Sequence, residues 1–326
     1  MVNMNLFFSI PTCYIEIVNE VSRLFTIKLS IIQLYNSLEG NDLATKDNFF
    51  QTSDGLWLYY EMHGSGKPIL LLPGFGESLK MWRHSVPVLS EGHQVICLDL
   101  RGHGRSMKVP GGNRQVRMAQ DVRELIDHLG LQDVLLVGHS LGGAVAATYA
   151  NTQEEHALRG LILVDASLFA FSDADWNSHK ASHYNIDGWY ERMMPYINDP
   201  VSYAAKARAS SPLEPEDADN MQESMLQIPP WVGVEYHMDT YFTDNMTPLE
   251  NRTIPVAAFV SHSAYHDAWE SGHEAVRRMT RSPLALCYEF TECNHHLFPL
   301  LEADKFNRCI LDFDAKIDSL AHKDGI

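Results

Sequence analysis

Four short runs in this chain are apolar at every position: residues 69–72, 95–98, 134–137 and 161–164. A strand with one face in water alternates polar and apolar residues, whereas a strand that is apolar throughout needs cover on both faces. The segments between these runs have helical spacing. Val122, Leu125, Ile126 and Leu129 fall at i, i+3, i+4 and i+7. That is the stripe of an amphipathic helix, and Gly130 follows where a left-handed residue closes one. Residues 141–149 are small and helical in pattern. Buried strands alternating with helices predict an α/β fold with a mainly parallel sheet flanked by helices. Residues 56–60 predict a further strand ahead of the turn Gly64-Ser65-Gly66. The alternation stops near Ser167. It resumes with a strand over 254–260, a helix over 272–280, a strand over 284–290 and a closing helix over 300–320. Residues 49–166 and 251–326 are therefore expected to form the sheet domain, and 167–250 an insertion into it.

Composition narrows the partners. Among 326 residues, acidic side chains outnumber basic ones by 42 to 25, a formal charge of −17. Such a field repels phosphate backbones and anionic membrane surfaces, so no nucleic-acid partner is expected. No apolar run approaches the ~20 residues of a membrane-spanning helix. The five cysteines, Cys13, Cys97, Cys287, Cys293 and Cys309, are odd in number and lack CxxC spacing. Free thiols in a reducing, cytoplasmic setting are the expectation. Residues 1–48 differ in texture from the rest. Residues 16–36 have the pattern of an amphipathic helix, with Ile17, Val18, Val21, Leu24 and Phe25 on its apolar face, and a polar linker follows. That face is expected to pack on the body or on a second copy, which would make the protein a homo-oligomer.

The sharpest chemical signal is Gly138-His139-Ser140-Leu141-Gly142. G-x-S-x-G is weak by itself. Here, a buried strand leads into it and a small-residue helix follows, as required for a serine on a strained strand-to-helix turn. Two further segments accompany it: Leu71-Leu72-Pro73-Gly74-Phe75-Gly76, and Asp99-Leu100-Arg101-Gly102-His103-Gly104-Arg105-Ser106. On these residues the chain resembles the α/β-hydrolase superfamily, in its serine-nucleophile branch with a lid or cap insertion. The first segment is similar to the family's loop after strand three, the second to its D-x-R-G-x-G-x-S loop, and Gly138 to Gly143 to its nucleophile elbow. The resemblance covers about residues 49–320, less the insertion, whose place matches the family's variable lid.

The resemblance implies the α/β-hydrolase fold with a helical cap, and it implies roles. Ser140 is the nucleophile, and a serine here in place of aspartate argues against the dehalogenase and epoxide hydrolase branches. The general base lies in the loop after the last strand. Counting back from Phe306-Asn307 selects His296, with its neighbour His295 as the alternative. The acid departs from the family pattern. An ungapped reading puts Ser261 and Ala264 at the glycine and aspartate of the family's G-x-x-D. Two carboxylates remain open: Asp165, at the end of the 161–164 strand, and Asp267. The oxyanion hole would use the backbone N–H groups of Phe75 and Leu141. Pro73 stands where the family commonly has histidine.

The insertion holds twelve aromatic residues and six of the thirteen methionines, which suits a lid over a small apolar acyl substrate or a core of the lid's own. The acidic run Glu214, Glu216, Asp217 and Asp219 is expected to be a solvated face. His262, His266 and His273 cluster near Asp267, but serine chemistry needs no metal, and neither metal nor cofactor is expected. The reading is thus a serine hydrolase acting on an ester, lactone or related acyl bond. An acyltransferase or cofactor-free perhydrolase on the same site, or a non-catalytic ligand-binding member of the fold, are the alternatives.

Overall fold

A computed structural model of the chain describes residues 48–153, 155–177, 186–263 and 268–323, and residues 48–326 form one compact unit. The amphipathic helix expected at 16–36, and the oligomer contact it would make, lie outside the described residues.

The four all-apolar runs occupy the four central positions of an eight-stranded sheet of order β1-β2-β4-β3-β5-β6-β7-β8. Its strands are Phe49–Gln51 (β1), Trp57–Gly64 (β2), Lys67–Leu72 (β3), His93–Leu98 (β4), Val134–His139 (β5), Leu158–Val164 (β6), Val256–Ser261 (β7) and Ala285–Phe290 (β8). Pairings from β4 through β8 are parallel; β1 with β2 and β2 with β4 are antiparallel. The turn Gly64-Ser65-Gly66, too short to carry a parallel crossover, reverses the chain between β2 and β3, so β2 runs antiparallel to β4, which is parallel to β3. β1 was not foreseen from the sequence, because three residues cannot show a period.

Each central strand feeds two cores. Leu70, Leu72, Ile96, Leu136 and Leu163 face helices α1 (Gln115–Leu129) and α2 (Leu141–Thr152). Ile69, Leu71, Leu135, Val137 and Ile162 face Trp82 and the closing helix α8 (Ala303–Lys323), through Phe306, Ile310 and Phe313. Burying such a side chain contributes about 1.5–3 kcal/mol, so the sheet's two-sided cover is the main source of its stability. Gly130 ends α1 at φ 63°, and its N–H reaches the carbonyls of Asp127 and Ile126.

Between β6 and β7 the chain makes one excursion, the helices α3 (Ile186–Asn198), α4 (Pro200–Ser210), α5 (Pro215–Leu226) and α6 (Pro230–Phe242). Proline at the first turn of α4, α5 and α6 removes an N–H that would be unpaired there. Polar contacts fasten these helices to the sheet domain. Asn245 Nδ2 donates to Gln115 Oε1 at 2.7 Å, and Thr148 Oγ1 donates to Asn245 Oδ1 at 2.9 Å. The Gln115 N–H donates to Asp239 Oδ2 at 2.8 Å. The acidic run is not wholly a solvated face. Asp217 is buried, with Arg83 Nε at 2.8 Å and His84 Nε2 at 3.0 Å, so part of that charge clamps the excursion onto the domain. α7 (Trp269–Arg278) connects β7 to β8 and packs against both strands before the chain closes with α8.

Candidate active site

β5 stops at His139, α2 begins at Leu141, and the turn between them is a single residue. Ser140 has φ 52° and ψ −112°, a conformation that costs a non-glycine residue of order 1–3 kcal/mol. Neighbouring contacts hold it there. Its N–H donates to Val164 O at 2.7 Å, extending the β5–β6 ladder by one rung. A Cβ on Gly138 would lie 2.2 Å from Gly142 O, and one on Gly142 would lie 2.3 Å from Leu72 O. Both positions therefore demand glycine, and the close crossing raises the serine above the sheet at the N-terminus of α2.

Asp165 follows β6 directly, and is fully buried at φ 47°. Its N–H donates to Phe259 O at 2.8 Å. Its carboxylate accepts the Ser261 N–H at 3.1 Å on Oδ1 and meets His296 Nδ1 at 2.7 Å on Oδ2. Ser261 Oγ lies 3.3 Å from His295 O, so β7 also holds the loop that carries the imidazole. A carboxylate on Nδ1 sets that nitrogen as the donor and leaves Nε2 as the basic nitrogen. The His296 side chain is 20% exposed, so it has access to a substrate.

The structure brings Asp165 and His296 together. It also sets the His296 ring against His139, the residue before Ser140, with ring centroids 4.5 Å apart. His295 is used differently. Its Nδ1 accepts the Leu297 N–H at 3.1 Å, and burial depresses its pKa. Asp267 and His266 lie outside the described residues. Among the described residues no cluster of His, Cys, Asp or Glu is arranged to hold a metal ion, and His262 stacks on Trp269 at 4.1 Å.

Phe75, Ser140 and Leu141 line one cavity of about 140 Å³, together with Met193, Tyr236 and Tyr241 from the excursion. The Phe75 ring is fixed by His237 at 4.4 Å and by Tyr236 at 5.9 Å. Its loop is held from within: Glu77 accepts the Gly74 N–H on Oε2, and His139 Nδ1 lies 3.0 Å from the same oxygen. Burial alone would raise the Glu77 pKa. The adjoining His139 and the Gly74 N–H outweigh it and hold the carboxylate below its ordinary range. His139 moves the opposite way: burial opposes its charge, yet Glu77 draws its pKa upward. Neither residue was singled out from the sequence. The available signal was an acid directly after the glycine-rich loop and an imidazole at the variable position before the serine.

A family model described as "alpha/beta hydrolase fold" matches residues 67–196. A soluble epoxide hydrolase from Corynebacterium sp. (strain C12) is 42% identical over 110 residues, 34% of this chain and 38% of that protein. A non-heme haloperoxidase from Rhodococcus erythropolis is 37% identical over 119 residues, 36% and 43% of the two chains. The chain thus spans about two fifths of the length of these curated relatives. Among solved structures, a bromoperoxidase from Bacillus anthracis superposes with a TM-score of 0.72 at 24% identity, covering 79% of this chain and 95% of that one. An esterase from Exiguobacterium antarcticum gives 0.70 at 23%, covering 82% and 98%. The segment matched by the family model contains the serine turn, the shared fold extends over nearly the whole of the solved chains, and the protein has the α/β-hydrolase fold.

Proposed function

We propose that the protein is a serine hydrolase that cleaves an ester, lactone or related acyl bond of a small apolar substrate through an acyl-enzyme on Ser140. The observation that carries this reading is the buried Asp165–His296 contact at 2.7 Å, next to a serine turn with no conformational freedom to spare. In this scheme His296 Nε2 takes the Ser140 proton as the hydroxyl attacks the carbonyl, then returns it to the leaving group. Asp165 orients the imidazole and stabilises its charged form. The N–H groups of Phe75 and Leu141 hold the oxyanion, each such donor being worth ~10²–10³ in rate. A hydroxyl nucleophile forms an acyl ester that water can open, and no cofactor enters the scheme.

The cavity supports a small substrate. Its volume of about 140 Å³ is close to the ~150 Å³ of an engineered apolar cavity that takes up benzene. An acyl group of one ring or a short chain fits; a long fatty chain would have to leave the cavity. The apolar lining from Phe75, Met193 and Tyr241 favours the same class. It also favours a second reading, acyl transfer to an acceptor other than water, because a lining that excludes water leaves the acyl-enzyme open to peroxide or an alcohol. The relatives named haloperoxidase and bromoperoxidase point the same way.

A fluorophosphonate probe tests the first step. Rapid labelling of the folded protein, lost in Ser140→Ala and strongly slowed in His296→Ala, is the expected outcome. Folded protein that takes no label, or label that persists in Ser140→Ala, would refute the assignment. Peracid formation from acetate and hydrogen peroxide separates the two readings of the second step.

A further inference from the structure

Behind the proposed triad lies a second buried carboxylate–imidazole pair that the hydrolytic scheme leaves unused. Glu77 is 7% exposed and His139 is fully buried. His139 Nε2 lies 3.0 Å from the main-chain oxygen of His296. A carbonyl oxygen can only accept, so Nε2 carries a proton. Glu77 Oε2 already accepts the Gly74 N–H, and the contact from His139 Nδ1 reaches that same oxygen at 3.0 Å. With the carboxylate as acceptor for both, Nδ1 carries a proton as well, and an imidazole that donates from both nitrogens is an imidazolium. Charge-assisted bonds of this kind are roughly twice as strong as neutral ones, and inside a protein they are poorly screened. Asp165, His296 and His103 are the other titratable groups that this pair senses.

The pair joins two loops. Through Gly74 it holds the loop of Phe75, the proposed oxyanion donor. Through the His296 carbonyl it holds the loop of the proposed base. Resting on the Ser140–His296 reading, we propose that Glu77 and His139 are positioning residues: a buried ion pair that fixes the distance between the oxyanion-side loop and the general base. A misplacement on the scale of 1 Å at such a base costs up to ~10²-fold in rate, so the effect belongs in kcat rather than in binding.

Two variants separate positioning from simple packing. Asn at residue 139 can keep a donor where Nδ1 was and so retain the Glu77 contact, but it cannot reach the His296 carbonyl. Gln can place its amide nitrogen near the former Nε2 and keep the carbonyl contact. The expected result is that His139→Asn lowers kcat and the labelling rate at Ser140 by ~10–100-fold with KM changed less than about twofold, and that His139→Gln recovers most of the loss. Equal losses in both variants, or unchanged kcat in a folded His139→Asn, would overturn the proposal. Because either variant could fail to fold, the wild-type protein supplies a second measurement. Its ¹⁵N-edited NMR spectrum at neutral pH should show His139 with two exchange-protected ring N–H protons; a single one would overturn the ion pair. Wild-type protein that takes no label would remove the serine-hydrolase reading and this proposal with it. A labelled wild type with an equally labelled His139→Asn would remove the positioning pair and leave the hydrolase reading standing.

Discussion

Asp165 has no solvent and three neighbours that fix it: the Phe259 carbonyl on its N–H, the Ser261 N–H on Oδ1 and His296 on Oδ2. A carboxylate so held keeps one imidazole tautomer, and an amide in its place would present a donor to Nδ1 and select the wrong one. Asp165→Asn is therefore expected to lower ester turnover by up to ~10⁴-fold with the fold intact, measured as kcat on a short-chain p-nitrophenyl ester. If Asp267→Asn produced that loss and Asp165→Asn did not, the acid would be Asp267. Ser140 was legible in the sequence because its turn is local: glycine, serine and glycine within five residues, with a strand before and a helix after. The proposed acid was not legible to the same degree. The choice of Asp165 depends on β6, β7 and the 291–297 loop meeting in space, and Ser261 stands where the family's glycine would have guided the reading. Glu77 and His139, 62 positions apart, were further out of reach still.

At the scale of elements, the tightest constraint is the crossing of the serine turn over β3. The atom that a Gly142 Cβ would strike is Leu72 O, part of a strand paired on both sides, so it cannot move aside. Gly130 has open space around it and only its left-handed φ to defend. Gly142→Ala is expected to cost well over the ~1–3 kcal/mol usual for overpacking, and Gly130→Ala about 1–2 kcal/mol, as measured by urea denaturation. A reversal of that order would mean that the crossing is looser than described. The central strands and long helices were readable from periodicity, since burial on both faces leaves a continuous apolar run. The acidic run on α5 misled because charge along a helix does not say which residue turns inward. Asp217 does so because Arg83 and His84 wait for it.

For the molecule as a whole, stability against acid is set in part by a histidine away from the proposed chemistry. His103 is fully buried and its Nδ1 donates to Arg101 O at 3.0 Å. Burial disfavours its charged form and lowers its pKa from 6.5 to about 4. Between these values the unfolded chain binds the proton and the folded one does not, so stability falls as pH drops through that window and is fully present above 6.5. The difference of about 2.5 units corresponds to roughly 3 kcal/mol. His103→Asn, which can keep a donor toward Arg101 O, is expected to flatten the decline in unfolding free energy between pH 6.5 and 4 relative to wild type. Parallel pH curves for the two proteins would contradict this account. No helix among the described residues is long and apolar enough to cross a membrane, in keeping with the hydropathy of the sequence.

The excursion that forms the roof of the cavity leaves at the end of β6 and returns at the start of β7, and these two strands are hydrogen-bonded neighbours, Leu161 to Val256 through Val164 to Phe259. Their register is that of a regular parallel ladder. A roof of different length and lining could thus be carried on the same two strands without displacing Asp165 or the Ser140 turn.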